Sequence, residues 1–503
     1  MTAPQYVLAL DLGTTGNRAI AFDANGTIAG QAYRALTPSY PHPGWMEHDP
    51  NEIWQASCAL TQQLLQQLDA SPAAIATLGL TVQRETCLLW DRITGEPLHP
   101  AIVWQDRRTA ERCRELAQQG YAQLVRERTG LVLDAYFSAS KLAWLLAWVG
   151  QHRPDIGADR LLAGTVDTWV LWKLTGGRTH ATDPSNASRT LLMDLGARDW
   201  DDALLDLFGI PRRILPTIQA SLGNFGRTDP AQFGAEIPIT AVLGDQQASL
   251  FAHGCDRPGQ AKCTHGTGSF LVAYAGSRPV PSRHQLLSTV AWTDATQAGA
   301  EAAHYALESS ILTSGACLQW LQDGLGLIAS AAETEELARQ VPDTQGAYFV
   351  PALSGLGAPH WDMRARGAFI GLTGGVERAH LVRAVLEAIA YRVKEGIDAM
   401  NRDSATPISQ LRADGGVTQN DWLMQFQADL LGIPVERPAV LELTAQGAAF
   451  AAGLASGFWH DYDALARQRA IARTFEPGEG SSARQAFARW CQARERAQNW
   501  TLD

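Results

Sequence analysis

Short, mostly apolar runs separated by turn formers open the chain, which is the pattern of β-strands joined by turns. β-Prone runs at 6–10, 18–23 and 27–34 are separated by a polar glycine turn and by Asn25-Gly26. Asn-Gly between two such runs is a strong signal for a tight hairpin. The pattern therefore predicts an antiparallel meander at the start of the fold.

A helical period follows this meander. Asp49 is a good N-cap, Pro50 suits the first helical position, and Glu52 stands three residues after the cap, where a capping box would have it. The apolar residues that then share one face are Ile53, Ala56, Leu60, Leu64 and Leu68. This spacing predicts a helix that begins at about residue 50.

Strand-like and helix-like segments continue to alternate along the first half. We predict strands at 74–81 and 87–90 and helices at 107–128 and 139–150. Such alternation is typical of the α/β class.

A second block has the form of the first. The apolar run 239–243 precedes a helical stretch from Gln246, and the segment 262–274 predicts strand, turn and strand around Gly266-Thr267-Gly268. The opening segment 8–22 has the same form around Gly13-Thr14-Thr15, which hints at an internal duplication. Turn formers at 254–259 place a boundary near residues 250–258, and we predict domains at 1–253 and 254–503.

Two helices are predicted in the second half. One carries an apolar stripe that indicates core packing and no functional role. Its members are Leu381, Val385, Ala388, Ile389, Val393, Ile397 and Met400. The other runs from about Asn420 to Leu431 and ends at Gly432, with Pro434 beyond.

The composition excludes several classes of protein. The 503 residues are 46% apolar and include 16 Trp, so the chain can bury more than one core. The net charge of 41 − 52 = −11 comes without a long basic run, which argues against nucleic acid or an anionic membrane as the main partner. Seven scattered Cys without a CxxC pair, and apolar stretches too short for a bilayer span, predict a cytoplasmic protein with no membrane span. A homo-oligomer is compatible with these features.

The turn Asp11-Leu12-Gly13-Thr14-Thr15 is the first candidate for chemistry. Its glycine lets backbone N–H groups approach an anion, its hydroxyls are donors, and the Asp11 carboxylate could hold Mg²⁺. Arg18 on the next strand could neutralise phosphate. An ordinary tight turn explains the segment equally well. The second hairpin, 266–268, favours the phosphate interpretation, because two facing loops could grip one triphosphate.

Charged residues also follow predicted strands. Arg84 and Glu85 could bind the hydroxyls of a polyol, although a surface ion pair is the more ordinary explanation. Asp245 could be a general base for a hydroxyl or only a helix N-cap. Gly415-Gly416 precedes a predicted helix, where paired glycines would let a nucleotide approach the backbone. A plain loop at the start of the helix explains the pair equally well. The patterns HExxH, GxSxG, GxxxxGK[ST] and GxGxxG are missing from the sequence, which argues against the hydrolases and nucleotide loops that they mark.

Taken in this order, the motifs resemble the FGGY family of carbohydrate kinases over essentially the whole chain. The segments that carry the resemblance are LDLGTTGNRA (10–19), PGWMEHDPNEIW (43–54), TVQRET (81–86), AIVWQDRRTA (101–110), TGLVLDAYFSASKLAWLL (129–146), GTVDTWVLWKLTGG (164–177), TDPSNASRT (182–190), GDQQASLF (244–251), GTGSF (266–270), GLGAPHWD (355–362) and DGGVTQNDWLMQFQADLLG (414–432). Three of them, PGWMEHDP, the QRE triplet and TVDTW, point to the members that phosphorylate glycerol.

The resemblance implies an α/β fold with two ribonuclease-H-like (actin/hexokinase-like ATPase) domains that flank an active-site cleft. It implies transfer of the γ-phosphoryl group of MgATP to a terminal hydroxyl of glycerol, giving sn-glycerol 3-phosphate and ADP. Two alternatives stay open, which are another small polyol or a ketose as substrate, and a catalytically silent protein that binds polyol or nucleotide.

The resemblance also implies roles for individual residues. Asp245 matches the general base, with Asp11 near Mg²⁺ and Arg18 at the phosphates. The glycerol-binding set is Arg84, Glu85, Trp104, Tyr136, Asp245, Gln246 and Phe270. The nucleotide-binding set is Thr14, Thr15, Gly16, Arg18, Thr267, Gly315, Gln319, Gly416 and Asn420.

The chain departs from the family pattern at one single residue and two pairs of residues. Gly16 stands where members commonly carry Ser or Thr beside the phosphates. Ser309-Ser310 replaces a small Gly-Ala-like pair that we expect near the adenine pocket, and Thr418-Gln419 replaces smaller apolar residues there. The predicted polyol residues are all intact.

Overall fold

A computed structural model describes residues 5–297, 302–467 and 469–500. Its first sheet has five strands, in the spatial order Ile239–Gly244, Ile75–Val82, Tyr6–Leu12, Gly16–Phe22 and Ile28–Ala35. The last three pair antiparallel, so the predicted meander is confirmed. Tyr6–Leu12, Ile75–Val82 and Ile239–Gly244 run parallel, and their carboxyl ends therefore meet at one edge of the sheet.

The predicted helix is Pro50–Gln67, and it covers this sheet. Asp49 caps it by accepting a hydrogen bond from the Asn51 amide at 2.8 Å, and the apolar face is buried up to Leu64. The prediction of a capping box is wrong, because the Glu52 carboxylate accepts a hydrogen bond from the Thr37 hydroxyl at 3.2 Å and not from the Asp49 backbone N–H.

A second sheet has seven strands. In spatial order they are Leu287–Thr293, Ala303–Ile311, Ser269–Gly276, Gln260–His265, Gln410–Asp414, Val435–Pro438 and Ile471–Phe475. Gln260–His265 pairs antiparallel with the next strand and parallel with Gln410–Asp414. Tyr6–Leu12 has the same two kinds of neighbour in the first sheet. The two predicted hairpins therefore occupy equivalent places in two similar sheets.

Helix Arg378–Asp403 packs against the second sheet. Its predicted stripe is buried, apart from Leu381, which is half-buried. Helix Asp421–Leu431 begins after the N-cap Asn420 and ends at Gly432, whose φ of 71° is left-handed. Both predicted helices of this half are confirmed.

Helix Leu443–Ser456 comes after six of the seven strands of the second sheet in the chain, yet it packs on the first sheet. The approach is close, because a Cβ added at Gly79 would lie 2.2 Å from the Ala448 carbonyl oxygen. The helix also packs against Asp245–Ala252, the helix that follows the last strand of the first sheet. This contact connects the C-terminal part of the chain to the first sheet.

The predicted helix 107–128 is in fact two helices, Ala110–Gln118 and Tyr121–Thr129. They are separated by Gly120, whose φ of 93° no helix can contain. The remaining α-helices of the described residues are Ser138–His152, Val166–Leu174, Pro184–Ala187, Asp202–Phe208, Pro230–Phe233, Gly315–Gln319, Glu333–Gln340, Tyr462–Arg467 and Ser481–Ala497. A four-stranded sheet contains Glu47–His48, Ala101–Ile102, Cys87–Asp91 and Leu161–Thr165. The short two-stranded pairs are Met193–Asp194 with Asp199–Trp200, Ala181–Thr182 with Thr217–Ile218, and Tyr348–Val350 with Ala368–Ile370.

In the three described ranges, no helix has both the length and the apolar character needed to cross a bilayer.

Candidate active site

A cavity of about 410 Å³ lies where the two hairpins face each other. Ten of the predicted site residues line it: Thr14, Thr15, Arg84, Glu85, Trp104, Tyr136, Asp245, Thr267, Phe270 and Gln319. Residues that are hundreds of positions apart in sequence therefore share one space. Among the described residues, those predicted site residues that do not line this cavity are Asp11, Gly16, Arg18, Gln246, Gly315, Gly416 and Asn420.

Arg84 and Asp245 reach the cavity from neighbouring parallel strands. Arg84 comes just after strand Ile75–Val82, and Asp245 begins the helix after Ile239–Gly244. The Arg84 Nε and Asp245 Oδ1 atoms lie 3.1 Å apart. The Arg84 side chain is buried, whereas 27% of the Asp245 side chain is exposed, so the carboxylate is open to a ligand in the cavity.

Glu85 has a strained backbone. Its φ of 63° lies in the left-handed region, which costs a non-glycine residue on the order of 1 kcal/mol or more. The Ser138 hydroxyl donates to the Glu85 carbonyl at 2.8 Å, and the Arg189 Nε donates to its Oε1 at 2.6 Å. Burial raises the pKa of Glu85, and the Arg189 guanidinium opposes that rise. The surroundings thus fix both the backbone and the carboxylate.

Three aromatic rings form an apolar wall. The Trp104 ring centroid lies 5.5 Å from that of Tyr136 and 5.9 Å from that of Phe270, both edge to face. The Trp104 Nε1 donates to the Thr14 hydroxyl at 2.9 Å, which joins the wall to the first hairpin. Burial raises the pKa of Tyr136, so its hydroxyl keeps its proton.

Asp245 is held by its neighbour Gln246. The Gln246 backbone N–H donates to Asp245 Oδ1 at 2.7 Å, and the side-chain Nε2 donates to Oδ2 at 3.2 Å. The Gln246 Oε1 in turn accepts from the Lys262 Nζ, which also donates to the Thr264 hydroxyl at 2.8 Å. Lys262 is fully buried, and burial lowers its pKa. No motif in the sequence marks Lys262 as a site residue.

The first hairpin combines a buried carboxylate with an arginine. Arg18 Nη1 lies 3.8 Å from Asp11 Oδ2, and Arg18 Nε lies 3.1 Å from Glu442 Oε2 on the chain entering helix Leu443–Ser456. Burial raises the pKa of Asp11 to about 7, with Arg18 opposing the rise. A cation at Asp11 would stabilise the ionised carboxylate.

Gly16 is tightly enclosed. A Cβ at this position would lie 2.6 Å from the Tyr33 ring and hydroxyl and 2.6 Å from the Arg34 carbonyl oxygen. The Tyr33 ring in turn lies 4.9 Å from the guanidinium carbon of Arg18. Tyr33 therefore fills the space that a larger side chain at position 16 would need.

The predicted nucleoside residues lie around the second hairpin. A Cβ at Gly315 would lie 2.5 Å from the Gly266 carbonyl oxygen, so glycine is needed for this approach. Asn420 uses its Oδ1 to cap its own helix at 2.9 Å and its Nδ2 to donate to Thr334 at 3.1 Å. Its contact with a nucleotide stays a prediction, as does that of Gly416.

The Ser309-Ser310 departure lies beside the predicted polyol residues, which differs from our expectation. Ser310 pairs with Phe270 across the second sheet, and its hydroxyl donates to Glu308 Oε1 at 2.8 Å. Glu308 contacts Arg84 through two hydrogen bonds of 2.6 and 3.1 Å. The family resemblance suggests the adenine side for this pair, whereas the pairing of strand Ala303–Ile311 with Ser269–Gly276 brings Ser310 next to Phe270.

The two hairpins face each other across one cavity, and a carboxylate and an arginine reach it from neighbouring strands, an arrangement that suits the class of carbohydrate kinases. The N-terminal domain model of the FGGY family of carbohydrate kinases matches residues 6–252, and the C-terminal domain model matches 261–456. The chain belongs to the FGGY family of carbohydrate kinases. The predicted family, fold class and kinase activity are confirmed.

Relatives within the family resemble the chain over nearly its full length. The glycerol kinase of Rippkaea orientalis is 62% identical, with 99% of this chain and 98% of the relative covered. The glycerol kinase of Acaryochloris marina is also 62% identical, with 99% of this chain and 100% of the relative covered. Among solved structures, Plasmodium falciparum glycerol kinase with ADP has a TM-score of 0.89 at 33% identity, with 98% of both chains covered. Xylulose kinase from Lactobacillus acidophilus, at 21% identity and a TM-score of 0.86, shares the fold.

Proposed function

We propose that the protein is a glycerol kinase, which transfers the γ-phosphoryl group of MgATP to a terminal hydroxyl of glycerol and gives sn-glycerol 3-phosphate and ADP. The observation that carries the proposal is the Arg84–Asp245 pair, 3.1 Å apart, at a cavity walled by Trp104 and Phe270. Charged groups suit the hydroxyls of a small polyol, and the rings suit its carbons. The relatives named glycerol kinase support the choice of glycerol.

The roles follow from the chemistry of phosphoryl transfer. Its transition state is loose, so the enzyme mainly positions the reactants and stabilises charge. Asp245 accepts the proton of the attacking hydroxyl, while Arg84 and Glu85 bind the other hydroxyls. Trp104 and Phe270 pack on the carbons and, with Tyr136 and Gln246, limit the access of water, which would otherwise accept the phosphoryl group.

The two hairpins are proposed to bind the phosphates of ATP. Thr14, Thr15 and Thr267 offer hydroxyls, Gly16 offers its backbone, and Arg18 offers a positive charge. On the nucleoside side we assign Gly315, Gln319, Gly416 and Asn420. We assign the polyol and the first hairpin to residues 1–253 and the nucleotide to 254–503.

Asp11 fits a Mg²⁺ ion that is shared with the nucleotide. It is a buried carboxylate at the end of a strand, and the described part of the chain has no group of three or more His, Cys, Asp or Glu side chains that could hold a metal. Mg²⁺ commonly takes only one or two carboxylates and completes its shell with phosphate oxygens and water. When bound, the ion supplies neutralisation of phosphate charge.

We place the activity in the cytoplasm, which the free thiol state of all seven Cys supports.

The test is ADP release by the purified protein with MgATP and, separately, glycerol, erythritol, xylulose and ribulose. We expect the highest kcat/KM with glycerol. A higher kcat/KM with another compound would assign a different substrate to the same site. Binding without ADP release from any of them would support a silent protein.

A further inference from the structure

Glu308 is a carboxylate of the second sheet that pairs with an arginine of the first-sheet site. It lies in strand Ala303–Ile311 and is fully buried. Its Oε2 accepts from Arg84 Nη1 at 2.6 Å, and its Oε1 accepts from Arg84 Nη2 at 3.1 Å. Paired hydrogen bonds of this kind fix the plane and the direction of a guanidinium group.

Arg189 extends the same contact to Glu85. Its Nη2 donates to Glu308 Oε1 at 3.1 Å, and its Nε donates to Glu85 Oε1 at 2.6 Å. Arg189 is fully buried. Charges of alternating sign therefore follow one another from Glu85 through Arg189 and Glu308 to Arg84, and Arg84 ends the series at Asp245.

Glu308 itself is ionised at neutral pH. Burial alone would raise the pKa of Glu308, but the Arg189 and Arg84 guanidinium groups lower it to about 2. A neutral side chain at position 308 would leave two buried arginines without the carboxylate that they share. Among the described residues, Arg84 would keep only Asp245 and Gln247 as polar partners. Arg189 would keep only Glu85 there.

We propose that Glu308 and Arg189 are positioning residues for the polyol: together they set the directions in which Arg84 and Glu85 present their charged groups to the cavity. This rests on the proposed function, in which Arg84 and Glu85 bind polyol hydroxyls. Among the described residues, the lining of the cavity includes neither Glu308 nor Arg189, so both act through their partners. Polyol affinity therefore depends on a residue of the second sheet.

The first test is steady-state kinetics of Glu308→Gln, which keeps the shape and removes the charge. We expect the KM for glycerol to rise about tenfold or more, since hydrogen bonds to charged groups are lost at Arg84. We expect the KM for ATP to change by less than about twofold, because the hairpins are untouched. A role confined to folding would not produce this split between the two substrates.

Two further variants make the test independent of whether Glu308→Gln folds. Ser310→Ala removes only the 2.8 Å hydrogen bond to Glu308 Oε1, and we expect a smaller rise of the glycerol KM, about twofold to fivefold. Ser309→Ala is the control, because this neighbouring buried hydroxyl has no hydrogen-bond partner among the described residues. We expect its glycerol KM to equal that of the unmodified protein.

A double-mutant cycle with Arg84→Ala shows whether Glu308 acts through Arg84. We expect the rise of the glycerol KM in the double variant to be far below the product of the two single effects, because Arg84→Ala already removes the group that Glu308 contacts directly. Any further rise above Arg84→Ala alone acts through Arg189 and Glu85. If the effects of Glu308→Gln and Arg84→Ala on the glycerol KM multiply in the double variant, the inference is overturned and the proposed function is unaffected. The same holds if the glycerol KM is unchanged in both Glu308→Gln and Ser310→Ala.

Failure of the proposed function has a different signature. If the unmodified protein does not turn over glycerol, the same cycle is measured with whichever polyol or ketose of the substrate panel it does phosphorylate. A non-additive KM effect there would support the positioning role with another substrate. No turnover of any of them would overturn both proposals.

Discussion

The Asp245 carboxylate and the Arg84 guanidinium lie 3.1 Å apart because each follows one of two neighbouring parallel strands, Ile239–Gly244 and Ile75–Val82. The carboxyl ends of these strands meet at the edge of the first sheet that faces the second hairpin. The same sheet edge thus positions both the proposed base for the attacking hydroxyl and the proposed cation for the other hydroxyls.

Asp245→Asn should lower kcat by about 10²–10⁴, the usual contribution of general base catalysis. The amide keeps the shape of the carboxylate but cannot accept the proton, so we expect the glycerol dissociation constant to change far less. Steady-state kinetics and calorimetric titration with glycerol measure the two quantities. Asp155→Asn is the control, since its carboxylate is exposed and pairs with Arg153. Near-normal turnover in Asp245→Asn would remove Asp245 from this role.

Lys262→Met should lower kcat/KM for glycerol by about tenfold, the effect of losing one charged hydrogen bond. The lysine donates to Gln246 Oε1 and so directs Gln246 Nε2 toward Asp245. Without that donor the Gln246 amide can turn over and present an oxygen to the carboxylate. Lys262→Gln retains a donor and should lose less activity. Equal losses in both variants would indicate that the charge of Lys262 matters and its hydrogen bond does not.

Gly447→Ala should lower the free energy of unfolding by about 3 kcal/mol, as overpacking between rigid elements does. A Cβ there would lie 1.9 Å from the Ala248 carbonyl oxygen, where two helices cross against the first sheet. Gly150→Ala is the control, because in helix Ser138–His152 a new Cβ meets no described atom within 4 Å. We expect that control to be neutral or slightly stabilising. Urea unfolding compares them, and equal midpoints would contradict the packing assigned here.

Glu395 should contribute stability that is lost in acid. Burial would raise its pKa, but Arg392, His360 and Arg494 lower it from 4.5 to about 2, a shift that corresponds to about 3 kcal/mol. Because the folded pKa is the lower one, this contribution is complete above pH 4.5 and disappears as the pH falls toward 2.

Urea unfolding of Glu395→Gln at pH values between 7 and 2 measures that contribution. We expect the variant to be less stable than the unmodified protein at pH 7 and the gap to close toward pH 2. Glu495→Gln is the control, since the Glu495 carboxylate is mostly exposed. A gap independent of pH would show that the lost stability does not come from the ionised carboxylate.

Local patterns predicted the elements that carry their own signals. The Asn25-Gly26 turn, the Asp49 cap and the glycine hairpins all fix structure within a few residues, and each is found in the fold. The interruption of the helix at Gly120 is not predicted, because the sequence does not show whether a glycine inside a helical pattern has a positive φ. The division of 107–128 into two helices shows that helix propensity alone does not decide where a helix ends.

The contacts behind the site could not be predicted in this way. Glu308 and Arg84 are 224 positions apart, and neither has a neighbour in sequence that suggests the other. The sequence shows Arg189 only as one residue of the segment TDPSNASRT, and it shows Lys262 only as a polar residue in a predicted strand. Neither pattern indicates a contact with the site. The one hint in the sequence is a Lys or Arg within a segment that is predicted to be buried. Such a residue needs a partner of opposite charge or a hydrogen-bond acceptor, because Lys and Arg are rarely buried without one.

The most direct test of the account identifies the product made from glycerol and MgATP. We expect ³¹P NMR to show one phosphate monoester on a terminal carbon, formed in equal amount with ADP and consumed completely by a dehydrogenase specific for sn-glycerol 3-phosphate. Arg84→Ala should form the same product at a lower rate under the same glycerol concentration. Release of inorganic phosphate in place of an ester, or an ester on the central carbon, would contradict the placement of glycerol between Arg84, Glu85 and Asp245.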